Sequence, residues 1–278
     1  MELKKGALSS LEYKFGYVDA SPSELIQNSS ESFLCVGITT FFKVDRDNLL
    51  NLTQFKKVRG IKRKLQVQNY LIQAIHQKKI VPFGMISWNY RDIALKNGEF
   101  ILKDAQIIHQ SNQTANTVVV NNHEISIGLA TSLGWYAIVI AMFLKFMGEV
   151  AKAVNQEKVA IFLDLLPGDN FKKQRNFEIV EQIINNSQLK GFQENALADY
   201  NLNLIGYGYG MHDKSTKNLK NDYEFVITDW IVQSFYSLIK YEKEDLDKSS
   251  EAFKLSKLAT FLIDNRYFKI KNAFSLIQ

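Results

Sequence analysis

The chain has 278 residues, of which 46% are hydrophobic and 23% charged, a balance that supports a sizeable core and excludes an extended disordered polymer. Three prolines and a single cysteine exclude a proline-rich spacer and an internal disulfide. A formal net charge of +5 biases the surface mildly toward anionic partners.

The length suits one large domain or two small ones, and the pattern of elements favours a single domain over residues 1–278. Met1–Leu8 lacks the apolar core of a signal peptide, so a cytoplasmic location is expected. Phe15–Asp19 reads as a short strand that ends in an aspartate, and Ala20–Glu31, with Pro22 and paired serines, as a loop. Ser32–Val44 is rich in β-branched and aromatic residues and reads as a second strand antiparallel to the first. It contains Cys35, expected to be a buried small hydrophobe. A basic run follows, Lys56, Lys57, Arg59, Lys62, Arg63 and Lys64. Ile61, Leu65, Leu71, Ile72 and Ile75 then recur at helical spacing up to a stop at Lys78-Lys79. Ile80–Trp88 is expected to be a strand, with Pro82 pointing to a sheet edge. Tyr90–Asn122 reads as an insertion or hairpin region, with short strands at Glu99–His109 and Thr117–Val120.

Ile125–Leu144 carries no charged residue and has about the 20-residue length that spans a bilayer. The sequence runs on past Lys145 into Phe146–Val154 without a loop signal. His123–Asn155 is therefore read as one long buried helix, with a membrane span as the alternative. Lys158–Leu165 is an unbroken apolar run, expected to be a strand covered on both faces. After a turn at Pro167–Asn170, Phe171–Asn186 is an amphipathic helix. Leu202–Met211 reads as a strand spaced by Gly206, Gly208 and Gly210, and Asp213–Asp222 as a polar loop. A helix over Phe225–Tyr241, a charged connector over Glu242–Glu251 and a helix over Ala252–Asp264 follow. The last aromatics, Tyr267, Phe268 and Phe274, are expected to dock on the body or on a second copy. The sum is an α/β domain with a mixed central sheet flanked by helices and a C-terminal helical extension at 242–278.

Three aspartates stand out: Asp19 closing a strand, Asp164 near the end of another, and Asp229 in the opening turns of a helix, where backbone N–H groups favour a negative charge. An aspartate at a strand end or helix start is ordinarily a turn former or cap. Jointly, carboxylates on separate rigid elements make a site for Mg²⁺ or Mn²⁺, which prefer oxygen ligands. A pair of such ions activates water and steadies the leaving oxygen in phosphodiester hydrolysis. The basic run from Lys56 to Lys64 would contact phosphates, with Lys172, Lys173 and Arg175 as further candidates. His76, His109, His123 and His212 have no zinc spacing.

The order of these elements, with Phe-Gly-Tyr-Val-Asp19, Ala160-Ile-Phe-Leu-Asp164 and Val226-Ile-Thr-Asp229-Trp, resembles the DUF3800 family. The resemblance covers roughly Phe15 to Ile239. It implies a ribonuclease H-like fold and assigns Asp19, Asp164 and Asp229 as catalytic and metal-holding residues of a Mg²⁺- or Mn²⁺-dependent nuclease acting on DNA or RNA. Where that family commonly carries Glu-Ser-Gly after its first aspartate, Ala20-Ser21-Pro22 stands here; Glu24 and Asp169 are the candidate replacements. That departure motivates the alternative, a catalytically inactive ribonuclease H-like module that binds nucleic acid or a protein.

Overall fold

The computed structural model describes residues 14–22, 30–55, 58–107, 116–156, 158–163, 170–199, 203–209 and 222–272. Along the chain run β1 (Lys14–Ser21), β2 (Phe33–Val44), α1 (Ile61–His76), β3 (Ile80–Tyr90), α2 (Arg91–Asp104), β4 (Thr117–Val120), β5 (His123–Ser126), α3 (Ile127–Ala153), β6 (Lys158–Leu163), α4 (Asn170–Asn186), α5 (Leu189–Ala198), β7 (Asn203–Tyr209), α6 (Asp222–Lys243), α7 (Glu251–Leu255), α8 (Lys257–Asp264) and β8 (Phe268–Asn272). Six strands form one mixed sheet in the order β7-β6-β1-β2-β3-β8. β2 runs antiparallel to β1 and β3, while β1–β6, β6–β7 and β3–β8 are parallel pairs. β4 and β5 make a separate hairpin.

Alternation along the strands feeds two cores. Val18, Ala20, Leu34, Val36 and Ile38 face α2, α3, α4 and α5. Phe33, Cys35 and Ile86 face α1, α6 and α8. A sheet covered on both sides needs no polar face, which is why Phe33–Ile38 is continuously apolar. Cys35 is fully buried, and burial pushes its thiol pKa up, so it is an inert core residue as expected. In α1 the buried stripe is Val67, Leu71, Ala74 and Ile75, so the inward face starts one turn later than the expected Ile61 and Leu65.

By length and composition α3 is able to cross a bilayer, with a mean hydropathy of 1.9 over its most apolar window, but 83% of that window is buried inside the protein. It is the core helix between the sheet and α2, α4 and α5. It begins at Ile127, later than His123. The Ser126 hydroxyl caps it by accepting from the Leu129 N–H at 3.2 Å, and His123–Ser126 pair as β5 with β4.

Other expectations are corrected. Glu99–Asp104, expected to be strand, belongs to α2. Gly98 lies inside this helix, where α2 crosses α3. A Cβ on Gly134 would lie 2.6 Å from the Gly98 carbonyl oxygen, and one on Gly98 would overlap the Thr131 carbonyl oxygen. Pro82 pairs only with Phe41 of β2, but from Gly84 onward β3 is covered by β8. The edge read at Pro82 is therefore local. The C-terminal helix is split in two at Ser256. The expected aromatic tail supplies β8, with Phe268 buried in the chain's own core; Phe274 lies outside the described residues.

Candidate functional site

The floor of the site is β1 paired with β2. Period-two alternation sends Val18 and Ala20 into the α3 side and therefore Tyr17 and Asp19 toward α6. Tyr17 confirms the direction: its ring meets Phe225 of α6 edge-on, 5.2 Å between centroids. Asp19 lies opposite Gly37 in the ladder. A Cβ on Gly37 would sit 2.6 Å from Val232 Cγ2 and 2.7 Å from Ile86 Cδ1, so the glycine lets α6 lie close to the sheet beside Asp19. Asp19 is 9% exposed, and its Oδ1 accepts the Ala20 N–H at 2.7 Å. Its charge reaches Tyr136 of α3, whose phenol pKa is pushed up first by burial and then by Asp19.

Along α6, Phe225 lies over Tyr17 and Val232 over Gly37. Asp229 is one turn after the first and one turn before the second, so it belongs to the same stripe, above the stretch of β1 and β2 that holds Asp19. It is half-buried, and its Oδ1 accepts from Gln233 Nε2 at 2.6 Å. The helix starts at Asp222, which makes Asp229 its eighth residue. The expected help from the helix N-terminus is corrected accordingly, because that field fades within the first turn. The hydroxyls of Thr39, on the β2 floor, and Thr228, beside Asp229, are buried without a hydrogen-bond partner. They give this interface more polar capacity than its own contacts use.

Asp164 lies outside the described residues. The β1–β6 ladder is described as far as Val18 with Leu163, the residues that immediately precede Asp19 and Asp164 in the chain. Glu24, Asp169, His109, His212 and Asp213 are likewise outside the described residues. Among the described residues no group of three or more His, Cys, Asp or Glu side chains gathers at metal-binding spacing. Asp19 and Asp229 nevertheless supply the donor type that Mg²⁺ and Mn²⁺ take, since these ions are usually held by one or two carboxylates plus water and substrate phosphate.

One pair at the site was not visible in the sequence. Arg46 Nη2 donates to both oxygens of Glu224 at 2.6 Å, and its guanidinium lies 5.6 Å from the Tyr223 ring centroid. Glu224 is buried. Burial, then the Glu224 charge, raise the Tyr17 phenol pKa, with Arg46 opposing. The clamp fixes the first turn of α6 and so helps set the position of Asp229. Residues 178 apart in the chain leave no local signal for such a contact.

In the basic run, Lys56 and Lys57 lie outside the described residues. Arg59, Lys62 and Arg63 are exposed, and Lys64 pairs with Glu251 at 3.6 Å. The chain entering this run is tied to α6, because the Phe55 carbonyl accepts from Trp230 Nε1 at 3.3 Å. Lys172 and Lys173 lie on α4, and Arg175 there donates to Asn176. Of the described histidines, His76 is exposed and His123 Nε2 lies 3.4 Å from Glu178 Oε2. Comparison with models of known families, with curated proteins and with solved structures finds no match.

Proposed function

We propose that this chain is a Mg²⁺- or Mn²⁺-dependent nuclease or related phosphodiesterase of ribonuclease H-like type, with Asp19, Asp164 and Asp229 holding the ion. The observation that carries the reading is the packing of α6, which bears Asp229, on β1 and β2 beside Asp19, through the Phe225–Tyr17 and Val232–Gly37 contacts. The sheet supports it as well. β1 is central, an antiparallel meander lies on one side of it, and two parallel strands lie on the other. Parallel strands end at the same edge, where residues from several of them can converge.

A divalent ion at this site supplies positive charge to the phosphate and lowers the pKa of water. The chain's own residues do the rest. Asp19 is oriented by the Ala20 N–H and Asp229 by Gln233. The packed rings of Tyr17, Phe162 and Phe225 form an apolar wall beside them. Arg59, Lys62 and Arg63 remain exposed for phosphate contact.

The test is cleavage of labelled single- and double-stranded DNA and RNA with Mn²⁺, comparing the parent with Asp19→Asn, Asp164→Asn and Asp229→Asn. Each variant is expected to lose about 10²-fold or more in rate, the equivalent of several kcal/mol of charge stabilisation. Variants that cleave like the parent overturn the site. The second reading, an inactive binding module, is favoured by Ala20-Ser21-Pro22, which brings no carboxylate after Asp19. It predicts binding that survives EDTA and a melting temperature indifferent to Mn²⁺.

A further inference from the structure

We propose that the surface formed by α1 with residues 47–50, 54, 55 and 58 is a track for single-stranded nucleic acid. The inference rests on the nucleic-acid reading above and names the strand form that the basic face takes. Two cavities of about 420 and 370 Å³ lie along α1. They are separated by a bridge in which the Leu50 N–H donates to the Tyr70 hydroxyl at 2.7 Å, and a strand would pass over it from one depression to the other.

The α1 wall is a single helical stripe: Arg63, Gln66, Tyr70, Gln73 and Gln77, at intervals of three or four residues. From Arg63 to Gln77 it extends about 21 Å at 1.5 Å per residue. The glutamines carry both donors and acceptors, the complement of unpaired base edges. Gln54 adds another from the opposite wall. Tyr70 and Phe55 meet edge-on at 5.8 Å and supply the aromatic surface on which bases stack. Arg63 lines one cavity and Lys79 the other, and Arg59 and Lys62 are exposed beside Arg63. The one acid lining the groove among the described residues, Asp47, shares its cavity with Lys79.

The chemistry favours a single strand over the alternatives. An acidic peptide would use the cations but leave the row of amides and the aromatic pair without a role. A duplex hides its base faces in the stack and presents mainly phosphate. Beside the Arg63 end, the Phe55 carbonyl accepts from Trp230 of α6, which fixes this wall to the body of the protein.

The experiment measures fluorescence anisotropy of the full chain in EDTA. The probes are labelled oligo(dT), oligo(U) and a duplex, each of about 12 nucleotides, roughly twice what a 21 Å track spans at 3.4 Å per nucleotide. The single strands are expected to bind about tenfold more tightly than the duplex. The double variant Arg63→Glu/Gln73→Glu, at two exposed positions, is expected to lose about tenfold or more in single-strand affinity. Its salt slope should fall by about 1. Lys96→Glu, exposed on α2 across the sheet, serves as the control and should change affinity by less than about twofold. No binding of single strands, equal binding of the duplex, or a double variant that binds like the parent overturns the track. Because EDTA removes cleavage, the outcome is separate from the nuclease reading. An Asp19→Asn protein that binds but does not cut leaves the track standing, and a double variant that binds single strands like the parent removes only the track.

Discussion

Gly37 is the point at which α6 is pressed against the sheet beside Asp19, so adding one methyl group there tests the geometry of the site. In Gly37→Ala the new Cβ would lie 2.6 Å from Val232 Cγ2 and 2.7 Å from Ile86 Cδ1, about 1 Å short of the ~3.5–4 Å at which carbon atoms rest. Overpacking of this kind costs about 1–3 kcal/mol, and replacing a strand glycine returns about 0.5–1 kcal/mol of unfolded-state entropy. The net expectation is a loss of about 0.5–2 kcal/mol, read by urea denaturation with an unchanged m-value. Val232→Ala alone is also destabilising, because it removes buried methyl groups worth about 0.8 kcal/mol each. In the double variant the two defects cancel in part, since the smaller side chain makes room for the new Cβ, and the cycle should close with about 1–2 kcal/mol of favourable coupling. Lifting α6 also moves Asp229 relative to Asp19, and about 1 Å of misplacement can cost 10²-fold in rate. Mn²⁺-dependent cleavage should therefore fall in Gly37→Ala and recover in the double variant. A Gly37→Ala protein as stable as the parent, with additive single effects, refutes the packing of α6 on β2 at this point.

Gly98→Ala should cost more than Gly37→Ala, about 3 kcal/mol, because the new Cβ meets the Thr131 backbone oxygen and not a mobile side-chain tip; a melting temperature equal to the parent's would contradict the close α2–α3 crossing. Arg46→Ala leaves the buried Glu224 carboxylate without its partner and should cost about 2 kcal/mol in denaturation, much of it restored in Arg46→Ala/Glu224→Gln. The Glu31 carboxyl is held below its ordinary range by Tyr236 and then Lys240, 3.1 Å away. A depressed carboxylate stabilises the fold above its unfolded value of about 4.3, and that contribution is lost as pH falls through the folded value. The parent should therefore melt above Glu31→Gln at neutral pH, with the gap closing at the acid end of a titration; a gap that widens toward acid would reverse the sign.

Much of the fold is legible in the sequence where one signal dominates. β2 is read correctly because Phe33–Phe42 is uncharged and rich in β-branched and aromatic residues, and α3 because no charge interrupts Ile125–Leu144. Errors arise where a local signal serves a tertiary purpose. Glu99–His109 reads as strand, but its first half belongs to α2, whose Gly98 lets two helices touch. Phe268-Lys-Ile-Lys-Asn alternates like a strand, yet it is short and terminal, and only the exposed side of β3 gives it a partner. At the site, the strand carrying Asp19 is legible but its end is not: β1 runs on through Ala20 and Ser21, which pair with Val36 and Cys35, so Asp19 lies inside the ladder and does not close it. Nor is the start of α6: the sequence reads a loop to Asp222 and a helix from Phe225, whereas α6 begins at Asp222, in the turn where Arg46 holds Glu224. The α1 groove escaped because its aromatic pair, Phe55 and Tyr70, comes together only when the segment before α1 folds back along it.

The central claim is that aspartates distant in the chain share one divalent cation. Anomalous diffraction from crystals of the full chain grown with Mn²⁺ addresses it directly. The account predicts a manganese peak about 2.1 Å from carboxylate oxygens of both Asp19 and Asp229, absent in Asp19→Asn; a map with no peak between β1 and α6, or with manganese held elsewhere on the molecule, would contradict it.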